Sequence, residues 1–339
     1  FTPATIGPDG AVLREVTRET DNYTATHDLF GVYAMLELPL VDSLNLAGGL
    51  RYEDSDQNVR TFELYAVEPQ VISSPLHTRD FLPAATITWE FIEDMLLRLG
   101  YSRTVNRPDF RELSPATSDN VESSGETMGN PELKRATIQN VDLRWEWYLS
   151  TSESISLGLF YKHFENAIEV NELPSSGNTM TFTNARAAMN MGVELEFRKT
   201  FGFLHPALDD LYVGGNITFI HSRVKVEGHP ERPLQGQSPY VINVQLGYDN
   251  LDWGTSLALL YNLCGRRIAQ VDYSYHHHQW EQPFHQLDFV ASQKLPHGFS
   301  LKLKLKNIIN ARVRIEQVGK INESYARGRE FSLGLAWAY

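Results

Sequence analysis

The chain is poor in cysteine, in positive charge and in long apolar runs, and each shortage closes off a class of protein. Cys264 is the only cysteine among 339 residues, so an internal disulfide framework and any cysteine-built zinc or iron–sulfur centre are excluded. Lys and Arg number 30 against 42 Asp and Glu, a formal net charge of -12. A surface of that balance is not built to neutralise phosphates, so no nucleic-acid partner is expected. No stretch approaches about 18 consecutive apolar residues, which excludes a helical membrane span. The mean hydropathy of -0.32 suits a soluble protein but is equally compatible with a membrane β-barrel, whose strands of about ten residues are apolar only at every second position. No basic segment followed by an apolar one opens the chain at Phe1, so no secretory leader is read there.

What is present is a large supply of core-forming side chains, 42% hydrophobic with 17 Phe, 15 Tyr and 6 Trp, arranged with period two. In Phe299–Ile309, Phe299, Leu301, Leu303 and Leu305 alternate with Ser300, Lys302, Lys304 and Lys306, which places apolar and polar groups on opposite faces of a strand. The chain ends the same way, with Phe331, Leu333, Leu335, Trp337 and Tyr339 against small residues. The pattern recurs at Leu44–Tyr52, Ala85–Phe91, Met95–Tyr101, Val141–Trp147, Ile155–Tyr161, Val193–Phe197, Val244–Tyr248, Leu257–Leu263 and Leu287–Ala291, and more weakly at Val32–Leu38 and Val213–Phe219. That makes about 13 strands and no convincing helix, an all-β chain. Tight turns at Pro39–Ser43, Glu93–Asp94, Leu149–Glu153, Asp249–Gly254 and Pro296–Gly298 alternate with polar loops at 54–79, 103–135, 165–183, 223–238 and 265–283. Short turns at one end and long loops at the other are the pattern of an outer-membrane meander barrel. Trp89, Trp145, Trp147, Tyr148, Tyr161, Tyr248, Trp253, Trp337 and Tyr339 fall near strand ends, where girdle aromatics belong. The polar face carries Arg51, Glu53, Arg98, Asp142, Arg144, Glu146, Lys162, Glu194, Glu196, Arg198, Lys302, Lys304 and Lys306. In a barrel that face lines the lumen; in a soluble sandwich it would face solvent, and alternation by itself permits both.

Residues 101–147 carry a denser signature. Tyr101, Ser102, Arg103, Arg107, Pro108 and Phe110 end one strand, a long loop follows, and Gly129, Asn130, Pro131, Leu133 and Lys134 open the next. This segment resembles the hallmark of TonB-dependent outer-membrane receptors. Leu46–Glu53 and Phe81–Phe91 resemble the preceding barrel strands of that family, and Leu305–Arg314 with Ala326–Tyr339 resemble its closing hairpin, so the resemblance runs from about residue 25 to the end. Tyr339 and Arg135 depart from the family, where Phe or Trp and Pro are commoner. The resemblance implies an antiparallel transmembrane barrel of about 22 strands, of which this chain holds the C-terminal 13 or 14. The whole of 1–339 is then barrel, starting on about the tenth strand, with no plug domain. It further implies an outer-membrane location with the C-terminus periplasmic, contact with outer-membrane lipid and lipopolysaccharide, a TonB complex engaged through a region ahead of this chain, and energy-driven uptake of a scarce ligand such as a ferric siderophore. Arg51, Arg98, Asp142, Arg144, Glu146, Glu194, Glu196 and Arg198 would face the lumen or plug. A passive pore, a fatty-acid-channel-like barrel or a structural receptor are the alternatives.

The loops hold the ligand candidates. Arg266 and Arg267 offer cations to an anionic chelate or to lipopolysaccharide phosphates; Tyr273, Tyr275 and Trp280 offer stacking surfaces; His276 and His278, on either side of His277, offer imidazoles. Adjacent histidines on extended chain point to opposite sides, so His276–His278 converge at most in pairs. Asp109, Glu112, Asp119, Glu122 and Glu126 make the 103–135 loop acidic, a calcium bridge or simply a solvated loop. His163, His221 and Ser222 lie near strand ends without a nucleophile motif, so no catalytic group, resident metal or cofactor is expected.

Overall fold

The alternation of side chains is realised as one antiparallel meander. The computed structural model describes residues 22–62, 71–120, 125–174, 179–226, 228–272, 274 and 276–337. Its strands in chain order are β1 (Thr24–Val41), β2 (Leu44–Phe62), β3 (Val71–Ile92), β4 (Met95–Asn106), β5 (Thr117–Asn120), β6 (Gly125–Met128), β7 (Ala136–Tyr148), β8 (Ser154–Glu172), β9 (Met180–Thr200), β10 (Leu211–Lys225), β11 (Tyr240–Asn250), β12 (Thr255–Cys264), β13 (Arg267–Gln270), β14 (Gln279–Glu281), β15 (Phe284–Lys294), β16 (Phe299–Lys306), β17 (Arg312–Gln317), β18 (Lys320–Ala326) and β19 (Glu330–Trp337). One continuous wall runs β1-β2-β3-β4-β7-β8-β9-β10-β11-β12-β15-β16-β19. Each of the thirteen alternating segments corresponds to one of these thirteen strands, although the one read through Ile309 stops at Lys306. A fourteenth strand, which the resemblance allows, would fall near residues 10–22, of which only Asn22 lies within the described residues; Ala338 and Tyr339 at the chain end lie outside them too.

Among the described residues β1 and β19 pair with one inner neighbour each and not with one another, so the wall is open. Both edges are bare: Phe30, Tyr33, Met35 and Leu36 on β1 and Phe331, Leu333, Leu335 and Trp337 on β19 are all exposed. The tight turns gather at one end. Three of them need positive φ, supplied by Asp94 (φ 64), by Gly254 (φ 63) and by His297 with Gly298 (φ 61 and 77).

At the other end the strands run on. Most of 54–79 and 165–183 is not loop but the continued hairpins β2–β3 and β8–β9, paired up to Phe62↔Val71 and Glu172↔Met180. Polar residues such as Ser55, Gln57, Thr78 and Thr183 led the sequence pattern to stop early, because a strand wet or packed on both faces loses its alternation. In β8 Asn166 takes positive φ (56) where the ladder skips one pair, between Glu165↔Ala187 and Ala167↔Ala185, with the register unchanged on either side. Beyond it Ala167, Glu169 and Asn171 are buried, and Phe164 packs against the cluster that contains Ala167.

The β8–β9 tip is held between two inward-folded loops. On one side the 107–135 loop, with helix α1 (Phe110–Leu113), packs Leu113 and Leu133 on Val59 of β2 and on Ile168 and Phe182 of the tip. It is pinned by Gln57 Nε2 donating to Pro108 O (3.2 Å), Asn130 Nδ2 donating to Phe182 O (2.9 Å) and Lys134 N donating to Asn184 Oδ1 (2.8 Å). Strands β2 and β9 are five steps apart in the sheet, roughly 24 Å along a flat one. One loop reaches both, so the wall is curved around it. On the other side Leu234 of the 226–239 loop packs against Ala167, Ala185, Ala188 and Val224.

Charge locks the first loop to the wall. Arg107 bridges Glu53 (2.8 Å) and Asp80 (3.0 Å), and Arg135 reaches the other oxygen of Asp80 (2.8 Å), whose side chain is 1% exposed. The loop's two ends are thus clamped to one carboxylate. We expect Asp80→Asn to leave two cations without their partner and to cost several kcal/mol, seen as a lower denaturation midpoint. Gly129→Ala would put a methyl 2.2 Å from the Ser114 carbonyl and 2.4 Å from that of Arg111, both backbone atoms. We expect it to loosen the loop by about 1–3 kcal/mol, read as faster protease cleavage within 107–135 while the strands stay intact.

Candidate functional site

The cross-strand register sorts the wall into two faces. On the apolar one, Trp89, Leu99, Leu143, Trp147, Leu159, Val193, Phe219, Leu246 and Leu301 are exposed. The aromatics Trp89, Trp145, Trp147, Tyr161 and Tyr248 share it. Tyr148 belongs to the polar face instead, because it is two residues from Glu146 and donates its hydroxyl to Glu146 Oε2 (3.2 Å).

The polar face carries Arg51, Arg98, Asp142, Arg144, Glu146, Glu194, Glu196 and Arg198. Pairing runs Arg98↔Arg144↔Gly158↔Glu194↔Thr218 across one level and Glu146↔Ser156↔Glu196↔Asn216↔Asn243↔Asn262↔Gln286 across the next. Arg98 Nε meets Glu146 Oε2 at 3.1 Å, Arg144 Nε meets Glu146 Oε1 at 2.8 Å, and Arg144 also pairs with Glu196. Arg144 reaches β9 because the residue opposite it on β8 is Gly158, which has no side chain to block the path. Arg51 pairs with Glu53 (2.6 Å), and the Arg198 guanidinium lies 3.5 Å from the Tyr212 ring centroid. Glu194 accepts from Thr218 Oγ1 (3.3 Å). Asp142 and Glu194 make no ion pair among the described residues. Beyond β10 the same face becomes an amide ladder, Asn262 donating to Asn243 and Asn243 to Asn216 (2.6 Å), flanked by Lys302 and Lys304 on β16. One sector of the wall is therefore cross-linked by its own ion pairs, and the next is lined by neutral hydrogen-bonding groups.

Over this face the loops close a mouth. Strands β13, β14, β17 and β18 form a separate small sheet, joining the 265–283 loop to a hairpin in 307–329. Alternating Val313 and Ile315 ahead of Gly319 carry this hairpin's signal in the sequence. Arg232 and Glu169 form a buried bidentate pair (2.8 and 3.2 Å), and Glu169 also accepts from Gln235 N (3.0 Å). No charge pattern at 63 residues' separation announces such a pair. Between this loop and the wall lies a cavity of about 460 Å³ bordered by Asn106, Ile138, Phe164, Glu169, Leu234 and Gln237.

The ligand candidates do not converge on one point. Arg267 is committed to Glu281 (2.7 Å), whereas Arg266 lies over the Trp280 ring at 4.4 Å and has no carboxylate partner among the described residues. His276 and His277 are exposed, and the carbonyl of His277 accepts from Gln317 Nε2 (2.7 Å). His278 is half-buried, its Nδ1 accepting from Asp272 N (3.3 Å). Tyr273 and Tyr275 lie outside the described residues, as do the side chains of Asp119 and Glu122. Glu112 accepts from Asp109 N (2.8 Å), which gives these two acids a helix-capping job. Among the described residues no three His, Cys, Asp or Glu side chains are grouped to hold a metal ion. Ser222 lies on the face opposite His163 and His221 and accepts from Leu234 N (3.0 Å), so those three do not meet.

Burial and the nearby Arg232 cation hold the His278 imidazole below its ordinary value, Asp272 and Glu169 opposing only in part. With its folded value depressed, the neutral ring's packing is fully present above the unfolded value of about 6.5 and is lost as pH falls below it. Acidification should therefore speed proteolysis of the 265–283 loop, and His278→Gln should flatten that pH dependence.

Three comparisons bear on this geometry. The family model described as TonB dependent receptor-like, beta-barrel, matches residues 2–308. The iron-regulated outer membrane virulence protein of Vibrio cholerae serotype O1 is 22% identical over 263 residues, covering 76% of this chain and 39% of that protein. The ferric-catecholate import receptor Fiu of E. coli K12 superposes with a TM-score of 0.70 at 15% identity, over 96% of this chain and 47% of that one. The ferric yersiniabactin uptake receptor FyuA of Yersinia pestis gives 0.64 at 14% identity, over 92% and 45%. The chain thus spans about half the length or less of these proteins, and their likeness at such identity is one of fold. Its thirteen-strand meander, its two-faced wall and the family match over most of its length agree: the chain belongs to the TonB-dependent receptors, as part of their β-barrel.

Proposed function

We propose that the protein is an outer-membrane receptor that takes up a scarce ferric chelate with energy supplied through TonB. The observation that carries this reading is the family match over residues 2–308, made to a wall whose charged face is already half neutralised by its own ion pairs. Among the similar solved structures are a ferric-catecholate import receptor, a ferric enterobactin receptor and a ferric yersiniabactin uptake receptor. A lumen lined by Arg144, Glu146, Glu194 and Glu196 suits a wet interior shared with a plug domain, and the exposed edges of β1 and β19 are suited to pair with further barrel strands. The inward-folded loops, with Arg267, His276 and His278 among their residues, form the mouth at which the chelate arrives. On this reading the tight turns and the C-terminus lie on the periplasmic side. Binding and transport here need no catalytic residue and no resident cofactor.

A passive pore is the rival. The deciding experiment expresses the full-length protein in an iron-limited bacterium and follows radio-iron delivered as ferric enterobactin or another ferric catecholate. We expect uptake that disappears when TonB is deleted; uptake or ion conductance that persists without TonB would favour the pore.

A further inference from the structure

On the polar face, one register row runs from the mouth to the tight turns. It starts at Gln286, two residues inside the mouth end of β15, crosses Asn262, Asn243, Asn216, Glu196 and Ser156, and finishes at Glu146, two residues short of the turn end of β7. A row lies square to its strands, and the strands of a barrel are tilted, so a path straight across these seven strands descends the wall. Six steps of about 4.8 Å make it roughly 29 Å long. A groove of about 450 Å³ follows its upper part, bordered by Glu196, Asn216, Asn243, Asn262, Gln286 and Asp288.

Each member of the row offers a hydrogen-bonding group, and its two carboxylates are compensated. Toward the turns, Glu146 and Glu196 are held by Arg98 and Arg144, and Ser156 Oγ donates to Glu196 Oε2 (3.3 Å). Toward the mouth stand three half-buried carboxamides, Asn262 donating to Asn243 and Asn243 Nδ2 to Asn216 Oδ1 (2.6 Å). A carboxamide carries two donors and an oxygen with two lone pairs, so the ladder uses only part of what it has. Among the described residues the Asn216 amide nitrogen and the Asn262 amide oxygen have no partner. Neutral hydrogen bonds are individually weak against water, and the next equivalent group lies one strand away. Such a line is easy to enter and easy to leave, which is what conduction requires. We propose that this row is the track along which the ligand crosses the barrel, its amide or hydroxyl groups exchanged from Gln286 through Asn262, Asn243 and Asn216 toward Glu196. The ligands it favours are those whose surface presents neutral hydrogen-bonding groups around the iron centre. The proposal rests on the uptake reading above.

The test uses the full-length protein in cells and compares two double variants matched in shape, Asn243→Val with Asn262→Val, and Asn243→Thr with Asn262→Thr. They differ only in whether a methyl or a hydroxyl stands in the row. Ferric enterobactin carrying radio-iron is the probe, its binding measured in cells without TonB and its maximal uptake rate in cells with it. Folding of each variant is checked by heat-modifiable gel mobility. We expect the Val variant to bind the chelate within about twofold of wild type yet take it up about tenfold more slowly, and the Thr variant to recover most of the lost rate. A Val variant with the wild-type rate, or Val and Thr variants slowed equally, would overturn the track. So would a Val variant that conducts ions across a planar bilayer, because the row would then be seating a plug domain. Any of these alongside wild-type uptake sinks the track alone, whereas a wild-type protein that takes up no chelate sinks the uptake reading and the track together.

Discussion

The fold depends on a pairing rule: in an antiparallel sheet, residues directly opposite share a face, and that face alternates at every residue. Because thirteen strands keep one register, a single choice at β7, Leu143 outward and Arg144 inward, determines the side taken by Leu159, Val193 and Phe219 and by Glu196, Asn216 and Asn243. A slip of one residue on β7, β9 or β16 would place a charge among the exposed leucines. This two-sidedness is what a wall between hydrocarbon and water requires, since between the two edge strands the backbone donors and acceptors are met by neighbouring strands and only side chains differ between faces.

Irregularities appear where this rule is relaxed. Past Asn166 the β8–β9 tip has both of its faces covered, one by Leu113 and Leu133, the other by Leu234. The loops that do the covering are anchored by charges the alternating pattern does not explain, Asp80 with Arg107 and Arg135, and Glu169 with Arg232. Such buried pairs contribute little net stability against a hydrophobic replacement, yet breaking one is costly. Their effect is to hold each loop in one position over the polar face, which gives the mouth a defined shape.

Part of the candidate site was legible beforehand and part was not. The charges of the polar face could be assigned to one side because Arg98, Arg144, Glu194 and the rest obey period two within short strands. Their partners could not, because Arg144 reaches Glu196 across Gly158 on an intervening strand. Among the loop residues, sequence neighbours took different paths: Arg267 entered a pair with Glu281, while Arg266 turned onto Trp280. The hairpin formed by β17 and β18 was readable in principle, but it lies in a stretch taken up by the resemblance to a closing hairpin. Tyr148 shows the opposite error, an aromatic near a strand end whose parity puts it on the polar face.

By itself the sequence determined the class, the number of wall strands, their order of apolar and polar faces and the family signature around Arg107–Pro108 and Gly129–Pro131. These are local properties: alternation and turn chemistry are written within a few residues. Only the tertiary structure decided how far β2–β3 and β8–β9 extend, which loops fold inward, that β1 and β19 stay unpaired with each other among the described residues, and that Arg266 is uncommitted. Those outcomes depend on groups 50 or 60 residues apart meeting across a curved wall, and no local pattern encodes which of several carboxylates an arginine will find.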